Sequence, residues 1–303
     1  MFLSAANKGP GWQKDPILAL LGHNVIKAAG RRFPEAKPGE MALSLVLLRE
    51  GDVVGFSHRG DHLGYPASLV KLFFMVAAEA WLTGGRLAPT RELRDAVAAM
   101  IAWSSNDATS IIVDLLTRTT SGPALPPAAL ARWLARRQIL NRYFAGWRRP
   151  EFAGINLAQK TWYEAPYGRE HQSCFAVPDN RNRLSSDAVA RLLLAIAEGE
   201  AVDPRRSRAM LRRMARFPAK VDRKNPWNQV TGFLGEGLPA DARVWSKAGW
   251  SSTTRHDSAI VELADGARFI LVVMTYGAAL AANRRLLPFI ARQVASGVEK
   301  LRG

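Results

Sequence analysis

Cysteine, acidic residues and long apolar runs are all scarce in this chain of 303 residues. A single cysteine, Cys174, excludes an intrachain disulfide and reads as core filler. No apolar run approaches the length of a membrane-spanning helix. The five histidines, His23, His58, His62, His171 and His256, show no metal-ligand spacing, so neither a metal nor another cofactor is expected. Of these, His256 in Thr254-Arg255-His256-Asp257 reads as a satisfied strand-end residue. No segment is repeated or low in complexity. Asp and Glu number 26 against 42 Lys and Arg, a net charge of +16. Such a balance attracts polyanions, whether nucleic acid, acidic lipid or cell-wall polymer. No nucleic-acid motif accompanies it, and the arginines at Arg31-Arg32, Arg136-Arg137, Arg148-Arg149 and 205–216 are spread over several predicted helices. A solvated, arginine-rich surface is expected rather than a specific nucleic-acid site.

A chain this long with 48% hydrophobic residues can bury a large core. The expected order is a helix over 16–32 with Asp15 as its cap and Pro16 in its first turn, two strands within 43–61, a long helical middle, three strands and a helix over 282–301. Pro/Gly clusters punctuate 120–127 and 220–239. A sheet whose strands come from both ends of the chain implies an α+β fold. Its antiparallel sheet is flanked by terminal helices, and an all-helical domain is inserted. On this reading residues 1–65 and 222–303 form a discontinuous α/β domain and 66–221 the helical one, with a cleft between them.

Three short motifs point into that cleft. The first is Ser68-Leu69-Val70-Lys71, which opens an apolar helix over 68–82 after Pro66. Residues three apart share a helix face, so the Lys71 amine lies one turn from the Ser68 hydroxyl. Burial lowers an ammonium's pKa and lets a neutral amine take the serine proton, while the helix N-terminus offers N–H groups to an oxyanion. That is an activated nucleophile without histidine. The second motif is Ser104-Ser105-Asn106, on the connection between helices predicted over 92–103 and 108–116. These residues also suit a helix N-cap. The third, Lys247-Ala248-Gly249, lies on the first strand of an antiparallel meander whose next strands, 257–263 and 267–276, are joined by the turn Ala264-Asp265-Gly266. Gly249 allows close approach to the strand backbone.

In this order and these settings the three resemble the S-x-x-K, S-D-N and K-T-G set of class A β-lactamases and penicillin-binding proteins, which the chain is similar to along most of its length. The capped helix over 182–196 and Gly237-Leu238-Pro239 also fit. The resemblance implies a β-lactamase/transpeptidase-like fold and a serine hydrolase acting through an acyl-enzyme. Ser68 becomes the nucleophile and Lys71 its base, and Ser104 carries a proton to the leaving nitrogen. Asn106 orients the substrate amide. Lys247 supplies positive charge to a substrate carboxylate and to Ser104, and the N–H groups of Ser68 and Trp250, beside Gly249, form the oxyanion hole. Two departures stand out. Ala248 replaces the Thr or Ser whose hydroxyl helps to hold a β-lactam carboxylate, a loss of roughly 1–3 kcal/mol. The deacylating Glu-x-x-Leu-Asn string is missing from 143–178. Glu164 is the nearest candidate by context there, with Glu151 and Glu170 behind it.

The expected substrate is a small-molecule or peptide amide, a β-lactam or a D-alanyl peptide, with hydrolysis of the β-lactam amide first. A DD-peptidase-like amidase or esterase with poor lactamase activity is the alternative, and a non-catalytic ligand- or cell-wall-binding protein on the same fold is the alternative of another class. Oligomeric state is left open. The family resemblance implies an extracytoplasmic site of action, whereas Met1-Phe2-Leu3-Ser4-Ala5-Ala6 lacks the basic start and apolar length of a signal peptide.

Overall fold

The computed structural model describes residues 12–49, 51–178, 180–225 and 227–301. The Met1–Ala6 stretch read against a signal peptide lies outside them. The elements run β1 (Gln13–Lys14), α1 (Pro16–Arg32), β2 (Met41–Arg49), β3 (Asp52–His58), α2 (Val70–Thr83), α3 (Arg91–Ala102), α4 (Asn106–Thr117), α5 (Pro127–Arg137), α6 (Ile139–Ala145), α7 (Gly168–His171), α8 (Ser186–Ala197), α9 (Pro204–Met214), β4 (Ala215–Arg216), α10 (Leu234–Gly237), β5 (Arg243–Trp250), β6 (Thr254–Glu262), β7 (Arg268–Tyr276), α11 (Ala278–Ala282) and α12 (Leu286–Lys300). The strands form one sheet of order β1-β3-β2-β7-β6-β5-β4. It is antiparallel except where β1 joins β3. The five longer strands match the predicted pattern. The two-residue edge strands β1 and β4 are too short to leave a period in the sequence.

Strand alternation divides the core into two. Ala42, Val46, Ile260, Ile270, Val272 and Met274 face one way, onto α2 and α8. Leu43, Leu45, Leu47, Val261, Phe269, Leu271 and Val273 face the other, onto α1 and α12. Each buried side chain of this size contributes about 1.5–3 kcal/mol. The helices start where the sequence placed caps. Asp15 accepts from Leu18 N at 2.8 Å, and Ser185 caps α8 through Ala188 N at 3.1 Å. Ser105 caps α4 through Ala108 N at 3.1 Å, which leaves its neighbours Ser104 and Asn106 for other partners.

The arginine-rich segment over 205–216 is the expected solvated surface only in part, at the exposed Arg205, Arg208 and Arg212. Arg206 and Arg213 of α9 turn inward to the fully buried Glu79 of α2, at 2.9 and 2.6 Å. An ionised carboxylate buried alone is costly, so two guanidinium partners offset its desolvation. A second buried network holds the long loop after α6. Arg137 of α5 reaches Glu170 at 2.5 Å and Asp114 at 3.3 Å, and Lys160 pairs with Asp114 at 2.7 Å. Arg137 is wholly inaccessible to solvent and Glu170 is 1% exposed. Removing one member of such a pair strands the other. Glu170→Ala is expected to destabilise the fold by about 3 kcal/mol, measured by denaturant unfolding. A loss below about 1 kcal/mol would show that the pair behaves like an exposed one.

Candidate active site

Ser68 sits on a 3-10 turn, Ala67–Leu69, that leads into α2. Ala67 before it has φ +46°, and Ser104 across the cleft has φ +57°. Left-handed backbone at non-glycine residues costs of order 1–3 kcal/mol and persists only where the surroundings enforce it. Two contacts enforce it around Ser68. A Cβ on Gly249 would lie 2.9 Å from Ser68 N and 3.1 Å from Leu69 N and Pro66 O, so strand β5 runs directly against the turn. His256, opposite Gly249 in the β5–β6 register, accepts from Thr275 N at Nδ1 and therefore donates from Nε2 to Tyr65 O, both at 3.0 Å. Burial pushes this imidazole down to about 4, which keeps it neutral. It is a structural anchor, in keeping with the sequence reading.

Two lysines converge on one hydroxyl. Lys71 Nζ donates to Ser104 O at 2.6 Å and to Asn106 Oδ1 at 2.8 Å, and lies 3.2 Å from Ser104 Oγ. Lys247 Nζ donates to Gln229 Oε1 and Ala248 O, each at 2.6 Å, and lies 3.0 Å from the same Ser104 Oγ. Both side chains are fully buried. Desolvation brings Lys71 down to about 7. Lys247 is held well below the ordinary lysine range, first by burial and then by the charges of Lys71 and Arg216. Asp257, behind β5 and opposite Ala248, opposes these positive charges. Its carboxyl accepts from Leu234 N and Ser258 N at 2.9 and 2.8 Å, and burial raises it to about 7.

Each amine is therefore pinned by two oxygens that can only accept, and each turns its remaining position toward Ser104. A hydroxyl carries one proton and can accept others. Ser104 can accept from one charged amine while donating to a neutral one, a connected path along which a proton can move. Ser68, by contrast, is half-buried.

Two residues at this centre carry no sequence pattern. Gln229 is 3% exposed and joins both walls of the cleft. Its Oε1 accepts from Lys247 Nζ and Ala248 N, at 2.6 and 3.1 Å. Its Nε2 donates to Ile101 O and Ala102 O, at 3.0 and 2.8 Å, at the end of α3. Thr161 donates to Asn106 Oδ1 at 2.8 Å and is the point where the long loop reaches the motif residues. Glu164 is exposed, with a 3.5 Å hydrogen bond from Tyr167. Glu170 is taken up by Arg137, Lys160 and Ser121. Glu151 sits on the turn Pro150–Phe152, near Asp187 and Arg191. Trp250 packs against Phe233, with ring centres 5.5 Å apart. Among the described residues no cluster of His, Cys, Asp and Glu could hold a metal, and no helix is long and apolar enough to cross a membrane.

The fold is shared with solved structures. PBP-A aligns at 20% identity over 96% of this chain and 99% of its own, with a TM-score of 0.64. A β-lactamase from Sphaerobacter thermophilus DSM 20745 aligns at 19% identity over 92% and 97%, with a TM-score of 0.64. One from Xanthomonas campestris pv. campestris str. ATCC 33913 aligns at 18% over 93% and 98%, with a TM-score of 0.66. No curated protein matches the chain. The model of the Beta-lactamase enzyme family matches residues 82–297, a stretch that contains Ser104, Asn106, Lys247 and Gly249 and begins after Ser68 and Lys71. The match covers well over half of the sequence, and the chain belongs to the Beta-lactamase enzyme family, the β-lactamase-like serine hydrolases.

Proposed function

We propose that the protein hydrolyses an amide or ester through an acyl-enzyme on Ser68, in the manner of a β-lactam-recognising enzyme. The observation that carries this reading is the Ser104 hydroxyl held between two buried lysine amines, beside a serine turn backed by Gly249. Ser68 Oγ attacks the carbonyl carbon, and its proton passes through Ser104 to the neutral Lys71 amine, whose remaining position faces that hydroxyl. The N–H groups of Ser68 and Trp250 receive the developing oxyanion. As the tetrahedral adduct collapses, Ser104 delivers a proton to the leaving atom and is reprotonated from Lys71. Asn106 orients the substrate amide. Lys247 stabilises negative charge on Ser104 and attracts a substrate carboxylate through space, since its own N–H groups are taken by Ser104, Gln229 and Ala248 O.

Deacylation separates the competing substrates. Glu164 is exposed, and Thr161 is the loop residue at Asn106. This favours an enzyme that acylates readily on a β-lactam and releases it slowly, the peptidase- or esterase-like reading, over a fast β-lactamase. A point mutant of PBP-A, which shares the fold, has been solved as an acyl-enzyme complex with penicillin G.

Intact-protein mass spectrometry after mixing with a penicillin is expected to show a lasting adduct of one drug molecule on the wild type and none on Ser68→Ala. Lys71→Ala should slow its formation by about 10²–10⁴-fold. Turnover undiminished in Ser68→Ala would sink the mechanism. Rapid appearance of hydrolysed drug without a lasting adduct would instead mark a fast β-lactamase.

The base is the unprotonated Lys71 amine, and its value of about 7 sets the pH dependence. Acylation should rise with pH through about 7 and fall about tenfold per unit below it. A profile flat from pH 5 to 9 would exclude Lys71 as the base.

Gln229→Leu removes the acceptor of Lys247 and the link to α3. The acylation rate should drop about 10–100-fold, the equivalent of about 1.4–2.7 kcal/mol, with a lowered melting temperature, because the buried groups that Gln229 pairs are left unsatisfied. An acylation rate within threefold of wild type would show that Gln229 does not position Lys247.

A further inference from the structure

Arg86, Arg118, Arg136 and Arg142 surround a cavity of about 540 Å³ whose floor includes Leu116 and Ile139. It lies on the helical side of the molecule, on α4, α5 and α6, away from the motif residues. Three of these arginines, Arg86, Arg118 and Arg136, also line an adjoining cavity of about 480 Å³, to which Arg169 and Trp133 contribute. Asp114 borders that second cavity, but its oxygens are spent on Arg137 and Lys160.

None of the five guanidiniums has a carboxylate partner among the described residues. Arg136, Arg142 and Arg169 donate to backbone oxygens of Arg118, Ala135 and Pro123, at 3.4, 3.0 and 3.1 Å. Arg86 stacks on Trp81, 4.0 Å from the ring centre, which fixes its direction. Its guanidinium is pushed below the ordinary arginine range, by burial first and then by Arg118. Like charges gathered around a concavity repel each other and destabilise the empty state, and an anion in their midst relieves this.

The residue type narrows the anion. Every cation on the two cavities is an arginine, whose planar fork of N–H donors matches phosphate oxygens two at a time. Four or five such forks exceed what a single negative charge can occupy. The apolar floor leaves room for an uncharged portion of the same ligand.

We propose that this arginine-lined cavity binds a ligand carrying a multiply charged phosphate group. The site is independent of the Ser68 centre and of the hydrolytic reading.

Isothermal titration calorimetry of the full chain with inorganic phosphate and with pyrophosphate, at fixed ionic strength, tests it. One saturable site is expected, tighter for pyrophosphate. Arg118→Ala with Arg136→Ala should weaken it at least tenfold. Arg205→Ala with Arg212→Ala, two exposed arginines on α9, removes the same charge elsewhere and should change affinity less than twofold. Equal weakening in both pairs, or binding that never saturates, would overturn the site in favour of a diffuse basic surface. Sedimentation with phosphatidylglycerol vesicles identifies the source of the phosphate. Vesicle binding that pyrophosphate displaces, and that the Arg118/Arg136 pair abolishes, assigns it to a lipid headgroup. Pyrophosphate binding without vesicle binding assigns it to a soluble phosphate compound. Binding of neither probe would overturn the proposal.

Discussion

Burying two lysine amines against one serine hydroxyl is the constraint around which this molecule is built. Each amine loses its hydration, and each must find oxygen acceptors within the protein or give up its charge. The acceptors come from three segments distant in sequence. Asn106 and the Ser104 carbonyl serve Lys71, while Gln229 and the Ala248 carbonyl serve Lys247. Supplying them draws the end of α3, the start of α4, the loop before α10 and strand β5 to one point. Burial brings the Lys71 amine down to about 7, which suits the role of base near neutral pH proposed for it.

Scarcity of acid shapes the remainder. Several of the few carboxylates are used inside the fold: Glu79 under α9, Glu170 and Asp114 in the loop network, and Asp257 behind β5. Asp187 is taken by the hydroxyls of Ser44 and Ser57, at 2.6 and 2.5 Å. What is spent inside cannot neutralise the surface. Neighbouring residues show the division. Arg137 is buried on Glu170, while Arg136, one position earlier, opens onto the arginine-lined cavity. The net charge follows from the count of charged residues alone, and the placement of the carboxylates decides which arginines are left without one.

Much of this was legible beforehand, for reasons that can be given residue by residue. The strands of the meander, β5 to β7, were marked by apolar, strand-forming runs and by the turn Ala264-Asp265-Gly266 between the last two. Asp15 and Pro16 marked the start of α1 because their chemistry suits only that position. Ser104, Asn106, Lys71 and Lys247 were picked out by spacing, and the fold brings these four side chains within hydrogen-bond distance in a connected set. Spacing worked because local geometry fixes which side of an element each motif faces.

Gln229 and Thr161 could not be found that way. Each sits in an irregular loop, and its partner lies 18 or 55 residues distant in the chain. Nor could the arginines between 205 and 216 be sorted into surface and interior, since whether an arginine faces water or Glu79 depends on which helix packs above it. The sequence by itself determined the elements, their caps and the chemically distinctive motif residues, all of which obey short-range geometry. The tertiary structure alone decided the loop residues that complete the centre, the exposure of Glu164 and the gathering, around two adjoining cavities, of arginines that have no carboxylate partner among the described residues. Those outcomes depend on long-range packing and on the cost of leaving a buried charge or polar group without a partner.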